Sequence, residues 1–284
     1  MTVAIAASPF RFFDLRVTRT ARLGPSFMRV TFGGPELADV TCGGRDQRVK
    51  LFFPHPHQEL PVMPADRDAD WFGRWRAMDP TVRAVMRSYT IREHRPETAE
   101  LDIDFALHGS GGGPASRWAA GAEVGSPVVF LGPVVADNGG VDFRPPADTD
   151  WVLLIADETA LPAVEAILSW LPARMGVRVW IEVAGPEDIR GLPTRARAEI
   201  TWLVRETSSQ TGATLAALRR AQLPSGTPYA WLAGESAEVR ALRRHLVNER
   251  GFARDAVVFT GYWRRGAGED DLLAEHFGNS SDQG

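Results

Sequence analysis

The residues best suited to chemistry in this 284-residue chain lie in one short stretch, Arg87-Ser-Tyr-Thr-Ile-Arg92. Alternate side chains of an extended strand share a face, which separates Arg87 and Tyr89 from Ser88, Thr90 and Arg92. A planar ring system could stack on Tyr89 while the arginines pair with a phosphate and the Thr90 hydroxyl donates to a ring nitrogen. An ordinary exposed strand with paired charges is the alternative interpretation.

A glycine-rich segment follows shortly afterwards, His108-Gly-Ser-Gly-Gly-Gly-Pro-Ala-Ser116. Pro114 suits the first position of a helix, so the backbone N–H groups of Ala115, Ser116 and Arg117 are predicted to be free to hold an anion. His108 could contact the same ligand or only cap a strand, and the loop could be a flexible hairpin. In this order and spacing, the two segments are the parts of a flavin dinucleotide site.

The first half of the chain is predicted to consist of short strands bounded by Gly and Pro clusters, which favours an antiparallel barrel. The predicted strands are Phe27–Phe32, Arg48–Phe53, Arg87–Glu93, Glu100–Leu107 and Pro127–Leu131. Residues 54–80 are predicted to form a long loop that could hold one helical turn. Residues 134–150 are rich in Gly, Pro and Asp and are predicted to be a domain linker.

After residue 150 the pattern alternates between apolar strands and amphipathic helices, which predicts a parallel sheet covered on both faces. The predicted strands are Trp151–Ala156, Val177–Val183, Ile200–Val204, Tyr229–Ala233 and Ala256–Gly261, and the predicted helices are Leu161–Leu171, Thr214–Gln222 and Ala237–Arg250. Ligands of such sheets bind at the carboxyl ends of the strands. Three segments lie there, 157–160, 234–236 and 262–265, and the polar tail from residue 269 is predicted to form a short, frayed helix.

Composition limits the function classes. The net charge is −4 and the pI about 5.9, so no overall positive field attracts nucleic acid or an anionic membrane. The lone Cys42 excludes an internal disulfide and a cysteine-rich metal site, which fits a reducing compartment. We see no signal peptide and no run of membrane-spanning length, so we expect a cytoplasmic protein without a metal site of its own, with a monomer as the default state.

Several motifs together resemble one known family. They are Arg-x-Tyr-Thr-x-Arg92, Asp104-Phe-Ala-Leu-His-Gly109, Gly-Pro-Ala-Ser-Arg-Trp118, Leu-Gly-Pro133, Ala-Gly-Glu235 and Gly261-Tyr-Trp-Arg-Arg-Gly266. In combination they resemble the siderophore-interacting proteins, a branch of the ferredoxin–NADP reductase superfamily, from about Phe13 to about Gly266. The resemblance implies an α/β plus all-β architecture. It places a six-stranded, Greek-key-like antiparallel FAD barrel at residues 1–145 and a parallel-sheet NAD(P)H-binding α/β domain with a tail at residues 146–284.

The resemblance also implies roles for individual residues. FAD would be bound by residues of the two segments above: Arg87, Ser88, Tyr89, Thr90, Arg92, Asp104, His108, Gly113, Ala115 and Ser116. Thr90, near the reactive flavin nitrogen N5, is the predicted catalytic residue. Thr159, Glu235 and Trp263 would contact the flavin or the nicotinamide, with core packing as the alternative for the last two.

A basic surface beside the flavin would hold an anionic iron chelate, and the matching positions are Lys50, Arg264 and Arg265. Lys50 is the only lysine in the chain, although an ordinary strand lysine would look the same. The implied activity is NADH- or NADPH-dependent reduction of a ferric siderophore. A general flavin or ferredoxin-type reductase and a siderophore-binding flavoprotein with little turnover stay open, as does ferredoxin as electron donor. Arg195, Arg197 and Arg205 would favour NADPH, and Glu182 would favour NADH.

Overall fold

The computed structural model describes residues 8–68, 70–205 and 212–268, and the predicted helix after residue 268 lies outside them. The chain divides into two compact units, Met1–Asp142 and Phe143–Gly284. The division falls within the glycine- and proline-rich segment 134–150. Each unit has its own sheet and its own buried cluster of apolar side chains.

The first unit is built on one antiparallel sheet of seven strands. Their bounds are β1 (Phe10–Gly24), β2 (Phe27–Gly33), β3 (Arg48–Phe53), β4 (Val85–Thr90), β5 (Glu93–Arg95), β6 (Glu100–Ala106) and β7 (Pro127–Pro133). The strand order is β4-β3-β7-β1-β2-β6-β5. The prediction of an antiparallel sheet is confirmed. The strand count of six is wrong, because the short strand β5 extends the sheet beyond β6.

Strand β1 bends the sheet by pairing with different neighbours along its length. Its first half, Phe10 to Arg16, pairs with β7, and its second half, Arg16 to Gly24, pairs with β2. The chain leaving β4 at one edge then reaches β6 near the other edge, where the Arg92 N–H donates to the Asp102 carbonyl at 2.9 Å. The sheet is therefore curled, with its apolar face inside.

The inner face of the curled sheet is filled with aromatic and aliphatic side chains. Phe13, Phe32, Phe53 and Phe105 are each less than 2% exposed, and Trp118 packs among them from α2 (Pro114–Ala120). The Trp118 ring lies 4.8 Å from that of Phe53 between centroids. This packing fixes the start of α2 against the open end of the sheet.

The loop predicted over residues 54–80 contains a helix of seven residues, α1 (Trp71–Ala77). Trp75 is 2% exposed, and its indole N–H donates to the Ala84 carbonyl at 3.1 Å. Trp71 and Phe52 meet edge to face at 5.6 Å on the outer side of β3. The helix thus covers an apolar patch on the outside of the sheet, a tertiary contact that propensity alone does not indicate.

Asp102 of β6 joins three strands through one buried carboxylate. It accepts two hydrogen bonds of 2.8 Å from Arg95 of β5 and one of 2.7 Å from the Thr31 hydroxyl of β2. Burial alone would raise the pKa of Asp102, but the Arg95 and Thr31 hydrogen bonds outweigh it and lower the pKa below its ordinary value of 3.8.

Replacing Asp102 with asparagine is therefore expected to lower the free energy of unfolding by about 1.5–3 kcal/mol near pH 7. Because the folded-state pKa lies below the unfolded one, this stabilisation is complete above the unfolded pKa and is lost as the pH falls through the folded value. Urea unfolding of wild type and D102N should give a difference that shrinks in acid. D39N, which breaks the exposed Arg11–Asp39 pair, is the control and should change stability by about 1 kcal/mol at most. If the difference in unfolding free energy between wild type and D102N persisted unchanged in acid, it would contradict the lowered pKa of Asp102.

The second unit has a parallel five-stranded sheet in the order β10-β9-β8-β11-β12. The strands are β8 (Trp151–Asp157), β9 (Gly176–Val183), β10 (Arg197–Val204), β11 (Pro228–Glu235) and β12 (Val257–Trp263). The helices are α3 (Leu161–Trp170), α4 (Ala213–Arg220) and α5 (Ser236–Glu249). The prediction of a parallel sheet with interspersed helices is confirmed.

Both faces of the central strand β8 are buried. Leu153 and Ile155 pack in the cluster that includes Leu218 of α4 and Leu242 of α5. Val152 and Leu154 on the opposite face are as buried but lie outside that cluster. An apolar run without alternation is what such two-sided burial requires. Within the described ranges, no helix is long and apolar enough to cross a membrane.

Candidate functional site

Strand β4, at one edge of the sheet, carries the predicted ring-binding residues. Tyr89 is half-buried, and its ring packs 4.4 Å from that of Phe105 between centroids. Arg87 shares the face of Tyr89, and its guanidinium donates to the Met86 carbonyl at 2.7 Å. The strand ends at Thr90, which is 6% exposed, and Arg92 follows it outside the strand.

The other face of β4 brings together two predicted residues from different parts of the sequence. Lys50 of β3 is the direct cross-strand partner of Ser88, and the ammonium donates to the Ser88 hydroxyl at 2.6 Å. Thr90 lies two residues further along β4, so it shares this face with Ser88 and Lys50. The predicted substrate cation is thereby held beside the predicted catalytic hydroxyl.

The glycine-rich segment forms a compact loop held by a serine. The N–H of His108 donates to the Ser116 hydroxyl at 3.2 Å, which ties the beginning of the loop to the first turn of α2. Gly113 caps that helix, and a side chain there would meet no atom within 4 Å. Ala115 packs into the inner core. The Ser116 oxygen therefore helps to shape the loop, while its hydroxyl proton and its backbone N–H are left as candidate phosphate donors. The Arg117 N–H donates to the Gly113 carbonyl at 3.1 Å, so the prediction that it is free is wrong.

Alanine substitution at two glycines of this loop is expected to affect thermal stability differently. A Cβ at Gly112 would lie 2.7 Å from the Ser116 Oγ and 3.2 Å from the Gly109 carbonyl oxygen, so G112A should displace the loop and lower both thermal stability and flavin content. G113A meets open space at an ordinary φ of −65°, so its melting temperature should stay near that of wild type. Differential scanning fluorimetry and flavin absorbance measure the two effects, and equal destabilisation by both variants would contradict this account.

Asp104 and His108 occupy different environments although both were predicted to bind the cofactor. Asp104 is 3% exposed, and both of its carboxylate oxygens accept hydrogen bonds from Arg29, at 2.7 and 2.8 Å. Arg29 is its cross-strand partner on β2. His108 is exposed at the start of the loop. The ion pair with Arg29 accounts for the buried Asp104 carboxylate without a ligand.

In the second unit, the segments at the carboxyl ends of β8, β11 and β12 meet around Asp157. Its Oδ1 accepts from the Thr159 N–H at 2.9 Å and the Thr159 hydroxyl at 2.5 Å. Its Oδ2 accepts from the Glu235 N–H at 3.0 Å and the Trp263 indole N–H at 2.7 Å. Thr159, Glu235 and Trp263, all predicted site residues, are thus brought together by a residue that the sequence analysis did not select.

The surroundings of Asp157 are acidic. Burial, followed by the Glu158 carboxylate, raises the pKa of Asp157 to about 6, against the opposing hydrogen bonds from Thr159 and Trp263. Burial and the nearby Glu182 raise the pKa of Glu238 to about 7. Asp157, Glu182 and Glu238 line a small pocket. Such a pocket repels a phosphate.

Arg205 and Glu182 form an ion pair with each other. These two residues were considered above for the choice between NADPH and NADH. Arg205 donates two hydrogen bonds to Glu158, at 2.8 and 2.6 Å, and one to Glu182 at 2.8 Å. Glu182 also accepts from the Thr214 hydroxyl at 3.0 Å. Both residues thus serve an ion network at the strand ends.

The terminal motif forms a tight turn after β12. Arg264 and Ala267 make an isolated bridge, and Gly266 takes a left-handed φ of +77° that favours glycine. Arg265, at the tip, is exposed, and its N–H donates to Glu235 at 3.3 Å. The two predicted substrate-binding arginines are therefore carried by a turn anchored to β11.

The two units differ in how well they fit a dinucleotide. The first unit offers arginines, a half-buried aromatic ring and a loop whose Gly109, Gly111 and Gly113 leave open space where a phosphate can approach the backbone, so it fits FAD. At the turn after β8, the Thr159 donors already bind Asp157, beside a second carboxylate. That turn does not fit a dinucleotide phosphate, so a nicotinamide donor must be held through other residues.

Family models match both units. Residues 16–137 match a model described as a siderophore-interacting FAD-binding domain, and residues 149–266 match one described as a siderophore-interacting protein. The matched ranges lie on either side of the division between the two units.

Individual proteins match over almost the whole chain. The ferric vibriobactin reductase ViuB of Vibrio cholerae is 32% identical over 259 residues, which cover 90% of this chain and 90% of that protein. An NADPH-dependent ferric-chelate reductase of Escherichia coli is 29% identical and covers 89% of this chain, with 93% of its own length matched. The solved structure of a siderophore utilization protein from T. fusca superposes with a TM-score of 0.78 at 33% identity, covering 92% of this chain and 96% of that one.

Proposed function

The chain belongs to the siderophore-interacting protein family, and from this membership and the geometry of β4 we propose that it is an FAD-dependent reductase of ferric siderophores that uses NADH or NADPH. Relatives named as ferric vibriobactin reductase and NADPH-dependent ferric-chelate reductase support the activity. One observation carries the proposal. The Lys50 ammonium donates a hydrogen bond to the Ser88 hydroxyl, on the face of β4 to which Thr90 also belongs.

Bound FAD would supply the redox chemistry, in which the two electrons of a nicotinamide hydride reach two ferric ions one at a time, and reduction would weaken the chelate so that iron is released. The side chains of β4 bind and orient this cofactor. Arg87 and Arg92 neutralise its diphosphate, together with the backbone at Gly113, Ala115 and Ser116. Tyr89 provides an aromatic surface, and Thr90 donates a hydrogen bond near N5.

Positive side chains attract the substrate, because many ferric chelates, catecholates among them, are anionic whereas the protein as a whole is acidic. Lys50 supplies such a charge in the first unit, and Arg264 and Arg265 supply it in the second. Glu235 and Trp263 are assigned to the nicotinamide side. The proposal includes a cytoplasmic monomer, with domains at residues 1–145 and 146–284 and with ferredoxin as the alternative donor.

An anaerobic titration tests the activity. NADH, NADPH and reduced ferredoxin are added separately to the purified flavoprotein, and bleaching of the flavin absorbance is followed. A ferric tris-catecholate is then added. We expect bleaching by a nicotinamide and recovery of the absorbance as the chelate is reduced. Failure to bleach would indicate a binding protein, and bleaching without recovery would indicate a different acceptor. Purification without flavin would overturn the proposal.

A further inference from the structure

The turn after β8 has an unusual composition for its position. In dinucleotide-binding α/β domains this turn is ordinarily rich in glycine, so that a pyrophosphate can approach the backbone. Here it reads Asp157-Glu-Thr-Ala160. Asp157 is 8% exposed, and its carboxylate accepts four hydrogen bonds. These hydrogen bonds satisfy the Asp157 carboxylate within the protein, so it needs no ligand.

Two of the four donors come from other strands. Glu235 is the last residue of β11, and Trp263 is the last residue of β12. The neighbouring Gly234 has a φ of +145°, and a Cβ there would lie 2.6 Å from the Asp157 Oδ2. The glycine of this site is therefore on β11, where it makes room for the carboxylate.

A second layer of contacts extends from these donors to the end of the described chain. The Ser236 hydroxyl donates to the Trp263 carbonyl at 2.9 Å. The Glu235 carboxylate caps α5 by accepting from Ala237 and Glu238, and it also accepts from the Arg265 N–H. Asp157 thus holds Glu235 and Trp263, which in turn hold the turn that bears Arg264 and Arg265.

We infer that Asp157 is a positioning residue that fixes the Trp263–Arg265 segment, and so sets where the two terminal arginines present their charge to the anionic chelate. The geometric part stands on the hydrogen bonds alone, and the consequence for the chelate rests on the proposed function. The nucleotide phosphate has no part in this role.

The variant D157A tests the geometry directly. It removes both carboxylate oxygens, so the Glu235 N–H and the Trp263 indole N–H lose their acceptor. Hydrogen–deuterium exchange of the flavin-loaded protein should become at least about tenfold faster in residues 262–265. D150A is the matched control, because Asp150 also accepts from a backbone N–H, that of Thr227, but lies at the opposite end of β8. It should leave exchange at residues 262–265 unchanged.

Kinetics test the consequence. D157A should raise the KM for a ferric tris-catecholate about tenfold, because the terminal arginines lose their fixed position. W263F keeps an aromatic ring, removes the indole donor and should raise the chelate KM in the same direction. The double variant should be no worse than the more impaired single variant, since both remove one interaction.

Unchanged exchange at residues 262–265 in both D157A and W263F would overturn the positioning role. Faster exchange with an unchanged chelate KM would refute the link to the substrate. A tenfold rise of the NADPH KM in D157A with an unchanged chelate KM would show that Asp157 serves the nucleotide, which also overturns the inference. If wild type reduces no ferric chelate, the proposed function fails, and the exchange measurement still decides whether Asp157 positions the segment.

Discussion

Replacing Arg87 with alanine should release most of the flavin from the purified protein. A charge-assisted hydrogen bond to an anion contributes about 1.5–3 kcal/mol, so loss of one such contact weakens FAD binding roughly 10–150-fold. Fluorescence titration of the apoprotein with FAD measures the dissociation constant. Turnover at saturating FAD, expressed per bound flavin, should stay near wild type, because Arg87 binds the diphosphate and takes no part in electron transfer.

R22A provides the matched control for this variant. Arg22 lies at the end of β1 in the same sheet, and its guanidinium also donates to backbone carbonyls, those of Gly24 and Pro25. It is exposed and distant in sequence from β4, so its loss should leave the FAD dissociation constant unchanged. Equal FAD affinity in R87A and wild type would remove Arg87 from the site.

Replacing Lys50 with alanine should impair reduction of anionic chelates selectively. On the partly exposed surface where Lys50 lies, one positive charge near an anion is worth about 1–2 kcal/mol, so kcat/KM should fall roughly 5–30-fold at low ionic strength. Added salt should shrink the difference, because it screens exposed charges. Steady-state assays with an anionic tris-catecholate and an uncharged ferric chelate measure the selectivity, and the uncharged substrate should show little change.

K50R and S88A separate the charge of Lys50 from its position. K50R keeps the charge and should retain most of the activity on the anionic chelate. S88A keeps the ammonium but removes the hydroxyl that accepts from it at 2.6 Å, so its loss should be smaller than that of K50A. An equal loss on charged and uncharged chelates in K50A would mean that Lys50 acts by packing and not by charge.

The hydrophobic pattern was sufficient to predict the sheet type of both units. The apolar run at Trp151–Ala156 and its counterparts predicted a parallel sheet because strands covered on both faces leave no polar side. Strand β1 was missed, although Phe13, Leu15 and Val17 alternate inward along it and could have indicated it. Its four arginines obscured that pattern, and its pairing with β7 joins residues more than 100 positions apart in sequence.

Residue types predict which segments could bind a flavin dinucleotide, but not what each side chain contacts. The stretch Arg87–Arg92 and the following loop stay such a prediction, based on their cations, aromatic ring and glycines. The structure alone showed that Asp104 is paired with Arg29 and that Ser116 is occupied by His108. Partners of this kind are fixed by strand register and loop closure, which a local pattern does not contain.

The sequence by itself therefore determined the two sheet types, which follow from local periodicity, and its combined motifs identified the family by resemblance. Tertiary structure decided that Lys50 meets Ser88, and that Asp157 gathers Thr159, Glu235 and Trp263 from segments up to 106 residues apart. The physical reason is that a buried carboxylate must find its donors wherever folding brings them, and parallel strands bring their carboxyl ends to one edge.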